Sequence, residues 1–256
     1  MLQKSLLIHT DNLQGLNYLI GVKGLAGKID LIYIDPPFYT QREFKNFSDR
    51  WTDLDEYLDE LLRRIEVGWK LLKPGGNLLV HLDWRVVHHV RIRLDSILGD
   101  AGEFQNEIIW KYNSGGASKA RLARKHDTIL WYTKSGADYT FNVVREPYPY
   151  EYSGKGFHPE GKMLSDVWTD IPIISTTGLE RVGYATQKPL KLLERIIHIF
   201  SNPGDLVLDF YAGSGTTGVA AQGLGRSAIL IDKNPEAVAK AEIRLSNAPM
   251  VEFNKG

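Results

Sequence analysis

The chain of 256 residues contains no cysteine. That excludes disulfides, thiolate metal sites and any mechanism built on a cysteine nucleophile. It also lacks an apolar run near the roughly 18 residues that span a bilayer, so no membrane partner is expected. The first residues, MLQKSLLIHTDN, lack the charge, long apolar stretch and small-residue site of a secretory leader, so a cytoplasmic location is expected. Net charge is absent too. Thirty-one Lys and Arg balance 31 Asp and Glu, and global charge selects no partner. What is present is 43% hydrophobic residues, enough for one large α/β domain or a domain with an insertion.

Strand-like and helix-like stretches alternate, the pattern of a parallel sheet covered on both faces. The stretch LIYIDPPFYT, residues 31–40, begins as a buried strand rich in β-branched and aromatic residues. Pro36 and Pro37 cannot donate backbone hydrogen bonds, so the strand stops there, and Asp35 is held extended before a proline. Ligands in open α/β sheets bind beyond the carboxyl ends of strands, where Asp35 and Phe38 stand. Taken alone, the stretch is more often a plain Asp-Pro turn with a core phenylalanine.

Thr52 is the expected N-cap of a helix in which Leu54, Tyr57, Leu58, Leu61, Leu62, Ile65, Trp69 and Leu72 recur at helical spacing. Pro74-Gly75-Gly76 should end it. A strand over 77–82, a helix over 84–98 and strands over 104–112 and 127–133 follow. Between the last two lies NSGGASKARLARKH. Across 109–135 six cations face only Asp127. Residues 136–185 are frequent in Pro, Gly, Tyr and Ser, with weak periodicity, and suggest a loop-rich insert. The α/β pattern resumes at TQKPLKLLERIIHIF.

DLVLDFYAGSGTTGVAAQGLG then has the form of strand, glycine-rich turn and helix, with SAILID as the next strand and a helix over 235–245. Gly213, Gly215 and Gly218 have G-x-G-x-x-G spacing, and small residues let backbone approach a ligand. Asp232 ends the following strand, where an acid commonly holds a ribose diol. A nicotinamide dinucleotide would suit this turn, but it leaves DPPF and the basic stretch without a role.

Together, DPPF, TQKP, DFYAGSGTTGVAA and LIDKNPEA, in that order, resemble the beta group of DNA amino-methyltransferases. The resemblance spans nearly the whole chain and is weakest over 136–165. It implies a Rossmann-like fold that uses S-adenosylmethionine, with a mostly parallel seven-stranded sheet, one antiparallel strand and a small loop-rich target-recognition insert. It places one catalytic half over 1–112. The last strand of that half and the insert occupy 113–183, and the cofactor-binding half 184–256. By the same resemblance, Asp35, Pro36, Pro37 and Phe38 are catalytic, and Asp11 lies near the cofactor adenine. Thr186 and Lys188 lie near the methionine carboxylate. Asp209, Tyr211, Ala212, Gly213, Ser214, Gly215 and Thr216 form the cofactor strand end and turn, and Asp232 is the ribose acid. The family often has proline then phenylalanine where this chain has Phe210 and Tyr211, and tyrosine where it has Phe38. Both changes keep an aromatic or apolar wall.

The expected chemistry accounts for the tetrapeptide. An exocyclic amino group is a poor nucleophile because its lone pair is delocalised into the base. Acceptors on its N–H groups, here the Asp35 carboxylate and the Pro36 carbonyl, help the nitrogen pyramidalise for direct attack on a sulfonium methyl. The base must leave the duplex to reach the cofactor, and Phe38 offers a face for stacking. The resemblance favours adenine N6 over cytosine N4, since the aspartate form of the tetrapeptide is commoner among adenine enzymes. A catalytically silent DNA-binding subunit is the non-enzymatic rival. Double-stranded DNA is the expected partner, with Lys119, Arg121, Arg124 and Lys125 as phosphate contacts as readily as a solvated loop. A second copy of the chain and a restriction endonuclease are further candidates. His81, His88 and His89 make no metal site by spacing alone, and solvated or capping roles suit them. The six tryptophans are expected mostly in the core, with Trp51 a candidate to line the site.

Overall fold

The computed structural model describes residues 5–44, 47–113, 119–148, 157–175, 178–245 and 250–252. The chain opens with β1 (Leu6–His9), α1 (Asn12–Gly21) and β2 (Ile29–Ile34). A small hairpin of β3 (Arg42–Glu43) and β4 (Ser48–Asp49) precedes α2 (Leu54–Leu71), β5 (Leu72–Leu82) and α3 (Val87–Leu98). Two long strands follow, β6 (Gly102–Lys111) and β7 (His126–Lys134), then the short β8 (Arg145–Glu146), β9 (Lys162–Met163) and β10 (Val167–Trp168). The last part comprises α4 (Leu190–Phe200), β11 (Leu206–Asp209), α5 (Thr216–Gly223), β12 (Ser227–Asp232), α6 (Pro235–Arg244) and β13 (Met250–Glu252).

Among the described residues, one sheet of nine strands runs in the order β10-β6-β7-β5-β2-β11-β12-β1-β13. Only β7 runs against its neighbours, β5 and β6, and the other pairs are parallel. The expected seven strands thus become nine. The additions, β10 and β13, are edge strands of two and three residues, too short to show a period in sequence. Helices α1, α2 and α3 cover one face through residues such as Leu16, Leu61, Ile65 and Val90. Helices α4, α5 and α6 cover the other through Leu193, Ile196, Ala220 and Ala241. Each fully buried Leu or Ile contributes about 1.5–3 kcal/mol. The central strands, buried on both faces, therefore read as continuous apolar runs.

Local chemistry sets the element ends. Asp53 rather than the expected Thr52 caps α2, its carboxylate accepting from the Glu56 N–H at 2.9 Å. The Thr52 N–H, one residue before the cap, donates to the Glu56 carboxylate at 2.7 Å, a variant of the capping box. Helix α2 stops at Leu71, and Pro74-Gly75-Gly76 falls inside β5 rather than before it. Within the described part of 136–185, regular structure is confined to three two-residue strands. The rest of that insert (149–156, 176–177) and residues 114–118 of the glycine-rich basic stretch lie outside the described residues. Among the described residues, no helix is long and apolar enough to cross a membrane.

The early strand β2 and the late strand β11 are neighbours, with Leu31 opposite Val207 and Ile32 opposite Leu208. From β2 the chain moves through α2 to β5 on one side, and from β11 through α5 to β12 on the other. The strand order reverses between them, and a crevice opens at their carboxyl ends.

Candidate active site

Asp35 leaves the end of β2 into this crevice. Its Oδ2 accepts from Lys188 Nζ at 2.5 Å, with both side chains largely buried. Its Oδ1 is buried and has no hydrogen-bond partner among the described residues. The Lys188 ammonium also lies 4.9 Å from the centre of the Phe38 ring, where a cation is attracted to the ring face. The Pro37 carbonyl is occupied, accepting from the Tyr57 hydroxyl at 2.8 Å.

The loop after the tetrapeptide is strained and tied down. Tyr39 and Gln41 take φ of 56° and 57°, a region that costs non-glycine residues about 1–3 kcal/mol. Buried Asp49 holds the bend. It accepts from the Tyr39 and Thr40 N–H groups, the Thr40 hydroxyl and the Trp51 indole, at 2.6 to 3.1 Å. The hairpin beyond places Phe44 and Phe47, stacked at 4.8 Å, on the site wall.

The glycine-rich turn is built over two carboxylates. Asp209 accepts from the Tyr211 N–H at 2.9 Å and the Thr217 hydroxyl at 2.5 Å. Burial pushes its carboxyl up to about 7. The two hydrogen bonds offset this in part, while the charges of Asp35 and Asp232 add to it. Asp232 accepts from the Gly213 and Asn234 N–H groups at 2.7 and 2.8 Å, and burial raises its carboxyl as well. Gly213, with φ of 51°, faces the Tyr184 ring, which a Cβ there would meet at 3.0 Å. Asp11 caps α1, accepting from the Leu13 N–H at 2.9 Å, and pairs with Arg64 at 3.3 Å. Arg64 in turn holds Asn12 and Glu60.

Asp11, Asp35, Pro36, Pro37, Phe38, Thr186, Lys188, Asp209, Tyr211, Ala212, Gly213, Ser214, Thr216 and Asp232 all line one cavity of about 720 Å³. Gly215 does not. Its φ of 78° turns the chain against α6, where a Cβ would lie 2.8 Å from that of Ala241. The geometry gives it a packing role on α6. Trp51 lines the cavity, and Trp69, Trp110, Trp131 and Trp168 are buried, but Trp84 is exposed. The basic residues lie off the cavity wall. Lys119, Arg121 and Arg124 are exposed and Lys125 is half-buried and partnered. The Arg124 guanidinium stacks 3.3 Å over the Trp84 ring.

Sequence reasoning missed Asp49, Tyr57, Arg64 and His81. Tyr57 shows in the sequence only as part of the α2 apolar stripe, and nothing local to Asp49 or Arg64 signals their burial or partners. His81 is fully buried rather than solvated. It bonds the Tyr33 hydroxyl at 2.9 Å and Asp127 at 3.2 Å, while His88 and His89 are exposed as expected.

The profile of a DNA methylase family matches residues 29–242. The Type II methyltransferase M.HpaI of Haemophilus parainfluenzae is 32% identical, covering 93% of this chain and 74% of that protein. The DNA adenine methyltransferase YhdJ of Escherichia coli K12 is 30% identical, covering 87% of this chain and 78% of that protein. The crystal structure of an M1.HpyAVI–SAM complex aligns with a TM-score of 0.70 at 27% identity, over 94% of this chain and 99% of that one.

Proposed function

Because the chain belongs to this DNA methylase family, we propose that it transfers the methyl group of S-adenosylmethionine to the exocyclic amino group of an adenine flipped out of double-stranded DNA. The observation that carries the reading is the unpartnered, buried Oδ1 of Asp35 beside an Oδ2 held by Lys188. A buried acceptor left without a donor costs about 1–3 kcal/mol. An amino N–H supplies the missing donor, and the fixed carboxylate then draws density onto the nitrogen that attacks. The Pro36 carbonyl is the second acceptor, and the Phe38 face receives the base. This preorganised pair of acceptors is where the rate gain originates.

The rest of the cavity suits the methyl donor. S-adenosylmethionine supplies an electrophilic methyl group on a cationic sulfur. Asp35, balanced by Lys188, and Asp232 line the same cavity as the glycine-rich turn. Each Asp232 oxygen, though bonded to one N–H, keeps a lone pair for a ribose hydroxyl. Asp11 lies toward the adenine end, and Thr186 and Lys188 toward the carboxylate end. The turn of Tyr211, Ala212, Gly213, Ser214 and Thr216 forms the wall between, with Gly215 holding that turn on α6.

The adenine activity named for the E. coli relative and the aspartate form of the tetrapeptide favour adenine. Residues 113–183 are the proposed target-recognition region, with 1–112 and 184–256 as the catalytic and cofactor halves. Lys119, Arg121, Arg124 and Lys125 are the proposed phosphate contacts. A second copy of the chain and a cognate restriction endonuclease are proposed partners, the latter supported by the Type II name of M.HpaI. The test is nucleoside mass spectrometry of DNA incubated with the pure protein and the methyl donor. N6-methyladenine is the expected product. N4-methylcytosine would reassign the base, and no methylated DNA would overturn the enzymatic reading.

A further inference from the structure

We propose that His81 is a positioning residue for methyl transfer: locked between Tyr33 and Asp127, it fixes the plane of the Phe38 ring on which the target base stacks. The inference rests on the methyltransferase reading and concerns a residue that does not line the cavity.

The His81 ring lies near-parallel and offset from Phe38, centroids 6.0 Å apart and planes 27° apart. The edge of Trp110 meets it at 5.7 Å and 89°. Both ring nitrogens are engaged, Nδ1 with the Tyr33 hydroxyl and Nε2 with Asp127 Oδ2. Asp127 Oδ1 accepts from the Tyr112 hydroxyl at 3.0 Å. Burial opposes ionisation of Asp127, but the bond and charge of His81, with Lys188 and Tyr112, outweigh it and hold the carboxyl below its ordinary value. Burial pushes the Tyr33 phenol up, so it stays a hydroxyl. An ionised Asp127 only accepts, so Nε2 carries a proton, and Nδ1 shares its hydrogen bond with the Tyr33 hydroxyl. In this arrangement every member is satisfied and the ring cannot turn without breaking two buried hydrogen bonds.

The placement of the network explains why it bears on catalysis. Tyr33 sits on β2, two residues before Asp35, which follows directly after the strand. Asp127 stands at the start of β7, immediately after the basic segment ends at His126. His81 therefore ties the strand leading to the proposed catalytic carboxylate to the strand that the proposed DNA-contacting segment enters, with the Phe38 ring between them and the cavity.

Three variants test the role: Asp127→Ala removes the acceptor, Asp127→Asn keeps one for Nε2–H without the charge, and Tyr33→Phe removes a single hydroxyl. In single-turnover methylation, Asp127→Ala should slow transfer at least tenfold and Tyr33→Phe several-fold. Asp127→Asn should restore most of the rate lost in Asp127→Ala. Cofactor affinity by calorimetry should stay within threefold throughout. The direct readout is 19F resonance of protein carrying 4-fluorophenylalanine, with the Phe38 line assigned by its loss in Phe38→Leu. That line should shift or broaden in Asp127→Ala and return in Asp127→Asn. An unmoved Phe38 line, or a rate loss matched by an equal loss of cofactor affinity, overturns the inference. If wild type transfers no methyl group, the functional reading fails, while the fluorine spectra still decide whether His81 and Asp127 set Phe38.

Discussion

Lys188 and Asp35, 153 residues apart in sequence, meet at 2.5 Å, so the TQKP segment expected at the cofactor holds the proposed catalytic carboxylate. One carboxylate oxygen is thereby fixed and the other is buried without a partner among the described residues. Asp35→Asn should lower the methylation rate by about 10²-fold or more, because a preorganised charge at the reacting nitrogen is lost. Cofactor affinity should change no more than a few-fold. Rates from single turnover and affinities from calorimetry separate the two. Equal losses in both would mark Asp35 as a structural residue.

The Asp209 carboxyl, raised to about 7, predicts a pH-dependent stability. Between the ordinary aspartate range and about 7 the folded protein keeps a proton that the unfolded chain releases. Stability from this group is therefore fully present below pH 4 and declines until about pH 7. Asp209→Asn mimics the protonated form, able to accept from the Tyr211 N–H and donate to Thr217. The wild-type melting temperature should fall relative to that of Asp209→Asn as pH rises from 5 to 8. A constant difference between the two would mean that Asp209 is ionised throughout.

Gly215 should behave as a packing position. A Cβ there meets the Ala241 Cβ at 2.8 Å and its Cα at 3.1 Å, and φ of 78° is unfavourable for alanine. Gly215→Ala should destabilise the fold by about 1–3 kcal/mol, read as a lower denaturation midpoint. Cofactor binding at temperatures well below melting should weaken less than in Gly213→Ala. The reverse order would return Gly215 to the ligand.

The basic segment should act through salt. Lys119 and Arg121 are exposed, whereas Arg124 is stacked on Trp84 and Lys125 is half-buried. Replacing Lys119 and Arg121 with alanine should flatten the dependence of log affinity on log salt by up to ~1.8, about 0.9 per lost phosphate contact. Affinity for all sequences should fall alike. Parallel salt lines for wild type and variant would make this stretch a solvated loop.

The sequence by itself determined the alternation of strands and helices, the stop at Pro36-Pro37 and the glycine-rich turn, because each is local. A proline without an N–H or an apolar stripe at helical spacing acts within a few residues. It also determined the candidate residues of both halves, whose motifs keep their order along the chain. Tertiary structure alone decided that β2 and β11 lie side by side, which brings Lys188 onto Asp35. It decided as well that Asp49 is buried under a bend with four donors, that Gly215 packs on α6, and that His81 sits behind Phe38. These residues draw their roles from partners on other elements. A buried carboxylate and a solvated one have the same letter, and only long-range packing supplies the burial and the donors that tell them apart.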